Sequence, residues 1–340
     1  NVFLWIAGSA AVLIAAGYLY QSIGCYRDRL RFAGSGRWVK IGSGCRLYLL
    51  EKGSGGPTVL FEAGIGATNL NWCHIQETVA NFTGTASYDR GGLGWSSNCR
   101  TARTPANIAE ELHEMLERAE ITPPFILVGH SFGGLVMRRY ALLFPEDVAG
   151  VVLVDPMRCE EWPPLDPSKQ SQIDLGRKLI RFALPIVQCG LVRLAVTTMF
   201  KRARGISGQG AEGREIGGRH VVERVTEEVR KMPKKVWPVV AAHWSRPGFY
   251  AGMRRHIESI PDTVREMQNA QPIREIPVVV LTPGNSTPLS EEYLKRIGDH
   301  VQQVIAPVSA HWIHLDEPEL VIRSIREMVQ AASVETAAAS

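Results

Sequence analysis

Apolar residues fall along this chain in two rhythms. Continuous short runs, of the kind that form strands buried on both faces, occur at residues 58–63 (TVLFEA), 85–89, 125–128, 148–154 (VAGVVLV) and 277–282 (PVVVLT). Between them lie stretches with apolar residues three and four apart. Ile108, Leu112 and Leu116 mark a helix over 105–119, and Leu135, Val136, Tyr140 and Leu143 mark one after residue 131. Helices are also expected at 290–297 and 318–329, with a short strand at 301–305. Such alternation predicts a mostly parallel sheet with helices on both faces. Two alternating runs at 38–41 and 46–51, inside the glycine-rich stretch 32–57, predict a hairpin at the sheet edge.

Two segments break this alternation. Residues 1–26 carry no charge, and 2–20 is largely apolar, long enough for a helix to cross a bilayer. No basic stretch precedes the run and no A-x-A site follows it, which disfavours a signal peptide, so a transmembrane helix is expected, with a buried core helix as the alternative. Arg27, Arg29 and Arg31 follow, and the positive-inside bias then places the rest of the chain on the cytoplasmic side. Tyr18, Tyr20 and Tyr26 suit the interface, and Cys25 is a candidate for palmitoylation.

The second break spans residues 157–274, where helical patterns at 173–184, 186–204, 221–231 and 236–243 are separated by glycines and prolines. Residues 177–204 hold Arg177, Lys178, Arg181, Arg193, Lys201, Arg202 and Arg204 and no acidic residue, interleaved with large apolar side chains. A basic amphipathic helix of this kind can lie on an anionic bilayer; alternatively its apolar face covers a site and its charges are merely solvated. The expected layout is a transmembrane helix (1–26), a first core part (27–156), a helical insertion (157–274), a second core part (275–331) and a flexible tail (332–340).

Composition narrows the classes. The 340 residues are 45% hydrophobic, ample for a large core, and the net charge of +4 is too small to argue for nucleic acid. The six cysteines show no metal-ligand spacing and do not read as a disulfide framework, so buried thiols are expected, with a Cys73–Cys99 bridge left open.

The chemistry gathers at residues 125–140, FILVGHSFGGLVMRRY. A strand runs through Gly129-His130-Ser131-Phe132-Gly133 into a helix, and a serine at such a turn has its hydroxyl lifted clear of the sheet. Ser131 is the candidate nucleophile. This turn, the A-G-I-G after the strand at 58–63, the run YDRGGLGWS at 88–96 and SAHWIHLDEPELV at 309–321 together resemble the α/β-hydrolase family, over roughly residues 38–156 and 275–330. The resemblance implies an α/β-hydrolase fold with the insertion as its cap. It also implies His311 as the base, with His314 as the confusable neighbour and His130 pointing away from the hydroxyl, and an oxyanion hole from the backbone N–H groups of Ile65 and Phe132. Relatives often begin that loop with His-Gly, whereas this chain has Ala63-Gly64. Asp89 and Arg90 resemble a loop-stabilising pair, and Glu62 reads as structural.

Most of the family carries its acid after the penultimate strand, yet here that loop, residues 283–288 (PGNSTP), has no carboxylate. Asp155, ending the strand beside the nucleophile's, is therefore the candidate acid, with Glu291, Glu292 and Asp299 as alternatives. Serine rather than aspartate at the elbow favours acyl transfer to water over alkyl-enzyme chemistry. The expected activity is cleavage of carboxylic esters, with lipid esters favoured and no cofactor or metal implied. A cofactor-free C–C hydrolase or perhydrolase, and a catalytically silent binding protein, are the competing readings.

Overall fold

The computed structural model describes residues 2–158, 167–205 and 227–339. Eight strands form one sheet in the order β1-β2-β4-β3-β5-β6-β7-β8: β1 (Arg37–Lys40), β2 (Arg46–Lys52), β3 (Thr58–Glu62), β4 (Thr85–Asp89), β5 (Phe125–His130), β6 (Val148–Val154), β7 (Val278–Pro283) and β8 (Val301–Ala306). The hairpin β1–β2 and its junction with β4 are antiparallel, and every other pairing is parallel. The continuous apolar runs become the central strands because both their faces are covered.

Helices α3 (Pro105–Arg118) and α4 (Phe132–Leu143) pack on one face, where Leu112, Met115, Leu116 and Tyr140 join Leu127, Leu153 and Val280. On the other face α2 (Cys73–Val79) and the helix Pro318–Ala339 cover Val59, Val128, Val152 and Leu281. The last helix continues through Ala339, so the expected tail is helical. Its extension is alanine-rich, which favours helix, and Ala332 is buried in the core.

The insertion forms α5 (Pro167–Gln188), α6 (Leu191–Gly205) and the helices Trp237–Trp244, Pro247–Glu258 and Ile260–Gln268. The first two meet at Gly190, whose φ of +76° suits glycine, rather than at Pro185, which lies inside α5. The helices at 247–258 and 260–268 are absent from the sequence expectations. Most of the pattern at 221–231 lies outside the described residues, of which 227–231 are helical. The N-terminal helix α1 runs Val2–Phe32, and no residue of its apolar window is buried.

Cysteine pairing differs from expectation. Cys45 bonds to Cys99, tying the β1–β2 hairpin to the loop after β4, while Cys25, Cys73 and Cys189 are free. Fifty-four positions separate the bonded pair in sequence, so only the topology, which lays β2 against β4, brings them together. Cys159 is outside the described residues.

Candidate active site

Ser131 stands between β5 and α4 with φ 53° and ψ −118°, a region that non-glycine residues adopt only when the surroundings enforce it. The enforcement is visible. Ser131 N donates to Val154 O at 3.0 Å, and Ser131 O accepts from Gly134 N at 3.0 Å and Met157 N at 3.1 Å. A side chain at Gly129 would put its Cβ 2.5 Å from Gly133 O, and one at Gly133 would sit 2.4 Å from Glu62 O. Strand and helix can therefore cross only because both positions are glycine.

His311 comes from the loop after β8. Its Nδ1 lies 2.6 Å from Asp155 Oδ2 at the end of β6. Asp155 also has positive φ, 40°, and its N–H donates to Leu281 O at 2.8 Å, which fixes the carboxylate at the sheet edge. Glu291 and Glu292 make exposed ion pairs with Lys295 and Arg296 instead, and Asp299 is exposed. The histidine loop is itself pinned, because Glu317 accepts from Val308 N at 3.1 Å and Ser309 Oγ at 2.6 Å. Lys231 of the helical insertion pairs with Asp316 at 2.7 Å and faces the Trp312 ring.

The three histidines of this region differ in environment. His130 donates from Nε2 to His311 O at 2.9 Å, so it braces the loop that carries His311. His314 is buried between the rings of His130 and Trp72, at 4.2 and 4.9 Å. Burial, with His311 and Lys231 nearby, pushes its pKa down to about 3, so it stays neutral and its ring serves packing.

The A-G-I-G loop lies against the serine. A Cβ on Gly64 would be 3.6 Å from Ser131 Cβ. Among the described residues, neither Ile65 N nor Phe132 N, at the first turn of α4, donates to a backbone carbonyl. Arg90 holds the loop from behind: its guanidinium donates to Ala63 O at 2.7 Å and to Gly64 O, and pairs with Glu62 at 3.0 Å, all buried. Arg90 thus pairs with Glu62 rather than with Asp89. The Asp89 carboxylate instead accepts from Asn69 N at 3.0 Å and Trp95 N at 2.8 Å. Glu62, adjacent in sequence to the loop it supports, was the signal available for this arrangement.

Beside this loop is a cavity of about 450 Å³. Ile65 and Gly66 form one wall, and Ile180, Val196, Met199, Val240 and Phe249 from the helical insertion form the other. Its lining is mainly apolar, as a site for an apolar chain requires.

The sequence and the fold are similar to those of known proteins. Residues 59–324 match the alpha/beta hydrolase family. A stretch of 114 residues is 35% identical to the Bacillus subtilis protein YqjL, covering 33% of this chain and 45% of that one. Another of 171 residues is 32% identical to a 1-acylglycerol-3-phosphate O-acyltransferase of Arabidopsis thaliana, covering 45% and 41%. The chain spans less than half the length of these curated relatives. In fold it is similar to a hydrolase from Pseudomonas aeruginosa PA01 (TM-score 0.58, 18% identity, 87% of this chain and 98% of that one). It is likewise similar to the epoxide hydrolase CorEH (TM-score 0.59, 15% identity, 86% and 98%). The chain belongs to the α/β-hydrolase family.

Proposed function

We propose that this protein is a serine hydrolase that cleaves carboxylic esters with apolar acyl chains through an acyl-enzyme. The observation that carries the reading is the His311–Asp155 contact formed at the same sheet edge as the strained Ser131 elbow. In this reading Asp155 holds the Nδ1 proton, leaving Nε2 of His311 free to take the Ser131 proton as Oγ attacks the ester carbonyl carbon. The oxyanion of the tetrahedral intermediate accepts from Ile65 N and Phe132 N. His311 then protonates the departing alcohol, and the serine keeps the acyl group. Water, losing its proton to His311, attacks the acyl carbon; the acid leaves and Ser131 recovers its hydrogen.

The apolar cavity against the oxyanion loop supports a lipid-like acyl or alkyl group as the substrate's larger part. Helix α1, apolar and exposed, supports anchoring of the enzyme to a membrane. Arg27, Arg29 and Arg31 favour a cytoplasmic catalytic domain. The Cys45–Cys99 bridge weighs the other way, since reducing compartments keep thiols open. Alkylation of thiols in intact cells with an impermeant reagent, before and after reduction, decides between the two.

The deciding experiment for the chemistry is labelling by a fluorophosphonate probe, with turnover of esters of graded chain length. The wild-type chain should be labelled and Ser131→Ala should not. A wild-type chain that resists the probe while folded would leave the silent binding protein as the better reading.

A further inference from the structure

We propose that the bent pair α5–α6 of the cap is a second membrane-inserted element, clamped to α1, so that the apolar cavity opens toward the acyl layer of the bilayer. The proposal rests on reading α1 as a membrane span.

Helix α5 carries two apolar stripes. Ile173, Ile180 and Val187, seven residues apart, face the protein, with Ile173 and Val187 buried and Ile180 lining the cavity. Leu175, Leu179, Phe182 and Ile186, spaced four, three and four, face outward and are 47–72% exposed. Leu191 and Leu194 continue the outward apolar surface on α6. One stripe suffices to seat a cap helix on its domain. A second, contiguous one needs another apolar phase.

Its position says which phase. The two helices turn through 89° at Cys189 and Gly190, and this elbow lies on α1. A Cβ at Gly17 would be 2.5 Å from Cys189 O, and one at Gly190 would be 2.7 Å from the Tyr20 ring. Gly17 lies ten residues before Arg27, roughly 15 Å along the helix at 1.5 Å per residue. The elbow therefore sits alongside the apolar part of α1, about two to three turns inside Arg27, deeper than a helix lying at the interface reaches. Apart from this contact near Gly17 and Tyr20, the apolar window of α1 is exposed, so one bilayer covers both surfaces.

The clamp is polar and buried. Arg193 Nε donates to Gln21 Oε1 at 3.0 Å, and its Nη1 pairs with Asp28 of α1. Gln21 Nε2 in turn donates to Ser245 O at 2.6 Å, tying α1 to the rest of the cap. Of the basic residues in this region Arg193 thus serves the inside. Lys178 and Arg181 border the outward stripe, with stems long enough to lift their charges to phosphate headgroups, whereas Arg177 pairs with Asp174 at 3.2 Å. Ile180, Val196 and Met199 belong to these same two helices and line the cavity that reaches Ile65. A lipid ester could pass from the bilayer toward Ser131 without crossing water.

The test uses the full chain in phosphatidylcholine–phosphatidylglycerol nanodiscs, with the photocrosslinker benzoylphenylalanine in place of Phe182, of Leu13 on α1, or of the exposed Arg118 on α3. Adducts are weighed by mass spectrometry. Lipid adducts at positions 182 and 13, and none at 118, are expected. A lipid adduct at 13 without one at 182 overturns the inserted elbow and leaves the anchor standing. No lipid adduct at 13 removes the anchor reading and the elbow with it. A chain-to-chain adduct at 182 assigns the stripe to a second copy and overturns the proposal. As a kinetic readout, Phe182→Glu should lower hydrolysis of vesicle-borne ester at least tenfold relative to hydrolysis of a water-soluble short-chain ester, and an unchanged ratio would contradict it.

Discussion

Asp155 and His311 meet although 156 residues separate them, with Oδ2 2.6 Å from Nδ1, and the carboxylate arrives from the end of β6 rather than from the loop after β7. An acid in that place can hold the imidazole in the tautomer that leaves Nε2 bare, and can stabilise the imidazolium formed during attack. Replacing Asp155 with Asn keeps the shape but favours the wrong tautomer. Turnover of a soluble ester should fall about 10³- to 10⁴-fold with the melting temperature little changed. Near-normal turnover would remove Asp155 from the mechanism.

The two histidines of the S-A-H-W-I-H stretch should separate cleanly. His311→Ala removes the proposed base, and kcat should drop by several orders of magnitude with little loss of stability, because the ring is partly exposed. His314→Ala removes a buried ring packed on Trp72 and His130. It should cost about 2–4 kcal/mol of stability, by analogy with other large-to-small core changes, while much of the activity survives at low temperature. Urea melts alongside initial rates measure both. The reverse assignment of losses would mean that the loop's roles are exchanged.

Local signals were enough for the sheet, the elbow and both ends of the His311–Asp155 contact. Each rests on a run of neighbouring residues: VVLVDP for the strand end, GHSFGG for the turn, and a carboxylate-free PGNSTP that pointed elsewhere for the acid. The misses were of another kind. Cys45 and Cys99 come together through strand order, and the Arg90–Glu62 pair through a parallel neighbour, which no short window contains. The helices at 247–258 and 260–268 carry Pro247 and Pro261 in their first turns, and a proline there starts a helix although in the sequence it reads equally as a break.

Arg90 makes its own prediction. Its planar fork reaches Glu62 and two consecutive carbonyls of the A-G-I-G loop at once, a task that a lysine's single ammonium cannot perform. Arg90→Lys should lower kcat about tenfold or more while KM changes little, since the loop's donors act on the oxyanion rather than on bound ester. Arg90→Met leaves Glu62 with the Tyr88 hydroxyl but without its cationic partner, and should lower the melting temperature. A Lys variant with wild-type kcat would show that the loop holds its shape without the fork.

Acid should destabilise the protein through its buried histidines. Burial holds His243 and His314 down to about 3 and pushes His256 well below the ordinary histidine value. The folded state keeps these rings neutral below pH 6.5 while the unfolded chain protonates them, so their contribution is complete above about 6.5 and is lost as pH falls toward 3. Two buried carboxyls oppose this. Asp89 is pushed up to about 6 by burial, and Glu62 is raised by burial against the pull of Arg90, so the folded state holds their protons where the unfolded chain has released them. Their contribution is present at low pH and is lost as pH rises through the folded values. Three rings against two carboxyls leave a net proton uptake on unfolding, so stability falls as the pH drops from 6.5 to 5. Urea melts across that range should show stability falling with pH, and His314→Phe, which removes one of the three, should flatten the slope. A slope unchanged in that variant would mean that His314 takes up its proton in the folded state and is not the sequestered ring its packing indicates.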